Sequence, residues 1–291
     1  MTLEALVSAE LSLPVDPKVS EIAARIAASH GTASRAVLFY GSCLRQQQLD
    51  GLMLDFYLIV SDYDEAYDRR WLARANRLIP PNVFPFAAGG LAAKYAVLSE
   101  ADFAALNGPE AGTVSVWARF AQPSRLVWVA DGEARQAAVR AIARATPTLL
   151  ALARPLAPVG SDAIAVWKAG FSQTYAAELR AEREDRSHLI VEAEPERYVA
   201  MAEAAAGASL PELTADAALR RWLQLRRQGK LMSVLRLAKA SFTFAGGIDY
   251  LAWKVNRHAG TRITLRPWQR RWPLLGAATL LPRLILQGAV R

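Results

Sequence analysis

The sequence predicts an α+β protein: a mixed sheet with helices over residues 1–130, a helical domain over 131–240 and a basic, apolar C-terminal segment over 241–291. Three observations predict it. Up to residue 130, short runs rich in β-branched and aromatic residues alternate with helical patterns. From 131 the chain is rich in alanine, arginine and glutamate and contains no strand-like run. Beyond 240, tryptophan and arginine interleave ahead of a leucine-rich end. The length of 291 residues suits about two domains and a core that needs no covalent staples.

Residues 18–29 place Ile22 and Ile26 at helical spacing and stop at His30-Gly31. A strand follows over 35–40, ending in Gly41-Ser42, and a second over 54–60, ending in Ser61-Asp62-Tyr63-Asp64. Residues 65–79 have a helical pattern, Pro80-Pro81-Asn82 breaks the chain, and 92–98 and 125–129 are further strands. In the helical part, Ile164, Trp167 and Phe171 lead to Tyr175 and a charged stretch. Leu231, Val234, Leu235 and Ala238 form an i, i+3, i+4, i+7 stripe that reads as a core face, with Lys230, Arg236 and Lys239 pointing elsewhere.

Apolar residues make up 53% of the chain and charged residues 21%, the balance of a folded protein. The single Cys43 excludes an intramolecular disulfide and reads as a small buried hydrophobe; with three isolated histidines it leaves no spacing for a zinc site. The net charge of +8 conceals a division. Residues 220–291 hold fifteen Lys or Arg against one acid, Asp249, whereas the remainder holds twenty bases and twenty-six acids. Such asymmetry predicts that the basic part meets a polyanion, either a nucleic acid or an anionic membrane surface. The N-terminal residues are neither a secretory signal nor an Arg-rich transit peptide, so a cytoplasmic protein is expected. The best spanning candidate, 272–290, is interrupted by Pro273, Pro282 and Arg283 and is expected to lie on a membrane or pack on protein.

The most specific chemical signal is Gly41-Ser42 after one strand and Asp55 at the head of the next. A glycine at a strand end lets backbone N–H groups approach a triphosphate with no Cβ in the way, and the serine hydroxyl adds a donor. An aspartate on the neighbouring strand can hold Mg²⁺, which bridges phosphate oxygens and neutralises charge on a pyrophosphate leaving group. This is a nucleotidyltransferase-type layout. Two residues on, where such sheets carry a second carboxylate, stands Tyr57; Asp50, Asp62, Asp64 and Glu178 are the candidates to supply it.

The wording around these motifs resembles the mitochondrial-type phosphatidate cytidylyltransferases, peripheral CDP-diacylglycerol synthases of mitochondria and some bacteria. Tyr40-Gly41-Ser42 and Leu54-Asp55-Phe56 are similar to that family's Tyr-Gly-Ser and Asp-Phe pair, and the family likewise lacks the second strand acid. Asn82 to Phe86 followed by Ala93-Lys94-Tyr95-Ala96-Val97 resembles its Asn-Pro-Tyr-like turn and Ile-Lys-Tyr-Gly-Val, with Ala96 in place of glycine. Arg119 and Pro123 keep the spacing of Gly-Arg-x-x-Lys-Pro. Tyr175, Glu178 and Arg180 stand where the family has Tyr-x-Gly-Asp-Phe-Arg, and Lys239 to Gly247 is similar to its Lys-Gly-x-x-Thr-Ala-Gly signature.

The resemblance implies that CTP and phosphatidate give CDP-diacylglycerol and pyrophosphate with Mg²⁺ or another divalent cation. Asp55, Lys94, Arg119 and Glu178 would be catalytic, with Asp55 and Glu178 on the metal. Gly41, Ser42, Tyr95, Arg180 and Lys239 would bind the nucleotide and phosphates. The acceptor's phosphate oxygen is already anionic at neutral pH, so no histidine or cysteine is required. In the C-terminal segment, Trp253, Trp268 and Trp272 interleave with Lys254, Arg257, Arg262, Arg266, Arg270 and Arg271 before the leucine-rich end. That composition suits attachment to an anionic membrane, here the cytoplasmic face of the inner membrane, and nucleic acid is not expected as a partner. The alternatives are a soluble nucleotidyltransferase acting on another acceptor or RNA, and an inactive membrane-associated scaffold.

Overall fold

The computed structural model describes residues 1–46, 49, 52–178, 186–207, 212–243 and 266–267. In chain order the elements are α1 (Leu3–Leu11), α2 (Pro17–Ala28), β1 (Ser34–Tyr40), α3 (Ser42–Gln46), β2 (Met53–Val60), α4 (Tyr63–Ala66), α5 (Arg70–Leu78), β3 (Asn82–Ala88), β4 (Leu91–Ser99), α6 (Glu100–Leu106), α7 (Trp117–Phe120) and β5 (Ser124–Val129). Helices then follow one another: α8 (Gly132–Ala143), α9 (Ala145–Ala153), α10 (Ala163–Ala177), α11 (Arg186–Glu192), α12 (Pro195–Ala205) and α13 (Ala215–Thr243).

The strands form one mixed sheet in the order β3-β4-β2-β1-β5. β2 and β4 run parallel, and the other neighbours are antiparallel. Helix starts follow side-chain capping. Asp16, Ser99, Asp131 and Asp162 each accept a hydrogen bond from a first-turn N–H of α2, α6, α8 and α10, satisfying donors that the helix itself leaves unpaired.

Alternation along the strands divides the sheet's two faces. Val37, Phe39, Phe56, Leu58, Tyr95 and Val97 point to one face, where they are buried with Ile22, Ala23 and Ile26 of α2 and with Tyr63, Tyr67 and Ala73 around α4 and α5. Ala36, Leu38, Tyr57, Ile59, Ala96 and Leu98 point to the other. Their core continues without a break through Phe103, Trp117 and Phe120 into Trp167, Tyr198 and Trp222 of the later helices. The predicted boundary near residue 130 is therefore a change of secondary structure rather than a gap between cores.

Two sequence expectations are corrected here. Residues 82–86 are not a turn but the start of edge strand β3, where Pro85 is tolerated because an edge needs no partner on its outer side. Its first residue, Asn82, is buried and donates from Nδ2 to the Leu72 carbonyl at 3.0 Å, while Asn76 donates to the Val97 carbonyl at 2.9 Å. The stripe on α13 is inverted: Leu231 and Leu235 are exposed, whereas Lys239 is buried. Among the described residues no helix is long and apolar enough to cross a membrane. The C-terminal segment beyond 243, apart from Arg266 and Pro267, lies outside the described residues.

Candidate functional site

Neighbouring strands put the sequence candidates side by side. Tyr40 is the register partner of Asp55, and Asp55 that of Lys94, so the three side chains share the face toward the larger helical layer. β1 is followed by Gly41, whose φ of +93° suits a residue without Cβ. A Cβ there would come within 3.1 Å of Asp55 Oδ2, so only glycine leaves the space between turn and carboxylate open. Ser42 opens α3 immediately afterwards.

These residues line a cavity of about 300 Å³ together with Arg45, Tyr57, Pro81, Ser115, Arg119, Gln122, Tyr175, Arg236 and Lys239. Among the described residues five cationic side chains, from α3, β4, α7 and α13, meet one carboxylate. Such a concentration of positive charge on low-dielectric walls suits a polyanion with several phosphate groups. Burial holds the Tyr40 and Tyr57 hydroxyls above their ordinary pKa, so Tyr57 adds no charge where a second carboxylate would otherwise stand.

Asp55 has unusual surroundings for a carboxylate. Its Oδ1 is buried and receives no hydrogen bond of good geometry, although Lys94 Nζ stands 3.0 Å away as its counter-charge. The other oxygen, Oδ2, faces the cradle kept open by Gly41, and a carboxylate so placed fits a divalent cation. Mg²⁺ commonly needs only one or two carboxylates when phosphates supply further ligands.

Glu178, just past the end of α10, is 6% exposed and lies 3.7 Å from Arg119 Nη1. It does not line the cavity. Burial works to lower the Arg119 pKa, but Glu178, Tyr57, Tyr40 and Asp55 together raise it above the ordinary value, so the guanidinium stays charged. The structure thus makes Glu178 the counter-charge of Arg119, correcting the expectation that it completes a carboxylate pair with Asp55. Asp62 and Asp64 are at the far end of β2, where both pair with Arg77 at 3.2 and 2.6 Å. Among the described residues no group of three or more His, Cys, Asp or Glu could hold a metal by itself.

Tyr95 is a second correction. Strand alternation sends it to the sheet's opposite face, where its hydroxyl lies 3.2 Å from His30 Nε2, so it cannot reach a ligand beside Lys94. Arg180 and Asp50 lie outside the described residues.

Sequence reasoning missed two cationic lining residues. Arg45 follows the Gly-Ser turn by one helical turn and donates to Gln122 Oε1 at 3.0 Å. Arg236 donates from Nε to the Pro80 carbonyl at 2.7 Å. Its i, i+3 spacing from Lys239 was the available signal, since both then share one side of α13. Behind Gln122, Arg197 donates to the Ala121 carbonyl at 3.2 Å and pairs with Glu10, which accepts from the Ser124 N–H at 3.3 Å. That buried pair ties α12 and α1 to the cavity wall.

Lys239 Nζ donates to the Pro81 carbonyl at 2.8 Å and also to that of Ile79. Burial, then the nearby Arg236, pushes its pKa down from 10.5 to about 7. A bound polyphosphate would favour the ammonium, so binding takes up a proton wherever free Lys239 is neutral. Referred to fully ionised triphosphate, affinity is therefore expected to be flat below pH 7 and to fall above it, by up to about tenfold per pH unit. Titration calorimetry from pH 6 to 9 checks this. Lys239→Arg, which stays charged, should flatten the profile, and a wild-type profile with no decline above pH 7 would remove Lys239 from the ligand's contacts.

No protein-family model matches the chain, and no curated protein does.

Proposed function

We propose that this cavity catalyses metal-dependent nucleotidyl transfer from CTP to phosphatidate, giving CDP-diacylglycerol and pyrophosphate, in a nucleotidyltransferase-type sheet. The observation that carries the reading is the convergence of Gly41-Ser42, Asp55 and Lys94 in one cation-rich cavity with Arg119 and Lys239. In this reading the Gly41-Ser42 turn receives the triphosphate through backbone N–H groups and the serine hydroxyl. Asp55 holds the divalent cation, which when bound offsets charge on the departing pyrophosphate. Lys94, Arg119 and Lys239 supply fixed positive charge to the phosphates, in a site where little water competes.

The new bond joins a phosphate oxygen of the lipid to the α-phosphorus of CTP. The bond that breaks joins that phosphorus to the pyrophosphate oxygen. The attacking oxygen is already anionic, so the step needs no histidine or cysteine as base. The basic 241–291 segment would bring the protein to the anionic membrane that holds the acceptor.

The test is CTP-dependent pyrophosphate release with Mg²⁺, with and without phosphatidate in mixed micelles. Release that requires the lipid is the expected result. Release with another acceptor or RNA but indifferent to lipid would keep nucleotidyl transfer and overturn the substrate. Absence of both release and CTP binding would leave an inactive scaffold.

A further inference from the structure

The outward side of α13 combines leucine with positive charge, and Asp216 in its first turn is the one acid on it. Leu219, Leu223, Leu231 and Leu235 are 53%, 48%, 60% and 36% exposed. At about 100° per residue they fall in one broad sector with the exposed Arg227 and Lys230. The opposite sector holds Trp222 and Leu225, buried in the core, and Arg236 and Lys239 at the cavity. After Asp216, no Asp or Glu occurs up to Thr243. The outer face of a helix in a water-soluble protein ordinarily mixes charges of both signs and carries few large apolar groups.

We propose that this face of α13 docks on an anionic lipid surface. Leucines at this density suit the boundary between headgroups and acyl chains, while the arginine and lysine beside them suit lipid phosphates. A nucleic acid would neutralise the bases but leave four leucines in water, so charge and apolarity together favour the bilayer. Membrane and cavity then lie on the two sides of one helix, separated by roughly its 10 Å diameter. Any tilt of α13 on the lipid would also move Arg236 and Lys239. Exposure and charge carry this assignment, so it holds whether or not the cavity transfers a nucleotide, and it is separate from attachment through 253–286.

The full-length chain tests it by sedimentation with vesicles of phosphatidylglycerol and phosphatidylcholine, against phosphatidylcholine alone. Wild type is expected to favour the anionic vesicles, and Leu223→Glu/Leu231→Glu to bind them at least about tenfold more weakly. Because both leucines are exposed, the melting temperature should be unchanged. Wild-type binding by the double variant would overturn the proposal and assign the contact to 253–286. A second readout places an environment-sensitive fluorophore on Leu231→Cys, Cys43 being buried. A blue shift on adding anionic vesicles is expected. No shift would mean that position 231 does not enter lipid, whether a second copy or the rest of the chain covers it, and would equally overturn the proposal.

Discussion

Asp55→Asn is expected to lower kcat/KM for pyrophosphate release by roughly 10³-fold or more, because a metal acting as Lewis acid contributes several kcal/mol to such a transfer. The substitution keeps the shape of the side chain and removes its charge, so the Gly41 cradle stays open. Its effects on binding should depend on the metal. Without Mg²⁺, triphosphate should bind the variant at least as tightly as wild type, since one negative charge has left a cavity with five cationic side chains. With Mg²⁺, wild type should gain affinity and the variant should not. Were Asp55 only the structural counter-charge of Lys94, the two proteins would respond to Mg²⁺ alike and activity would fall by no more than about tenfold. Paired titrations with and without Mg²⁺, beside steady-state kinetics, distinguish these outcomes.

The parts of the fold that sequence alone reveals are those where pattern and environment agree. β1, β2 and β4 are apolar runs largely buried on both faces, β5 is a half-buried apolar edge strand, and the limits of all four differ from expectation by about a residue. β3 escaped because Pro80, Pro81 and Pro85 read as breakers, and only its place at the sheet edge makes proline harmless there. In the site, Gly41, Ser42 and Asp55 were legible because a turn next to a strand head is local information. Lys94 and Tyr95 illustrate the limit of motif reasoning. Adjacent residues of one strand face opposite ways, so a ligand can touch only one of these side chains, and register with Asp55 selects Lys94. On α13 the helical period identified a stripe but not which side water would see. The stripe's leucines face outward because Arg236 and Lys239 reach the carbonyls of the 79–81 segment.

Arg119 joins fold to site, and a double-mutant cycle with Glu178 separates its two roles. Removing the cation alone, in Arg119→Met, leaves a buried carboxylate with less positive charge beside it. The expected loss is roughly 3 kcal/mol of unfolding free energy, the lower end for breaking a buried pair because Arg236 still acts on Glu178. Removing both charges, in Arg119→Met/Glu178→Met, should restore stability to within about 1 kcal/mol of wild type, since apolar side chains of similar size can replace a buried ion pair. Activity should follow the opposite logic. Arg119 lines the cavity and Glu178 does not, so the stable double variant should remain as inactive as Arg119→Met. Urea denaturation measures the first half of the cycle and pyrophosphate release the second. If activity returned together with stability, Arg119 would be a structural partner of Glu178 that merely borders the cavity, and the charge facing the phosphates would fall to Lys94, Arg45 and the two cations of α13.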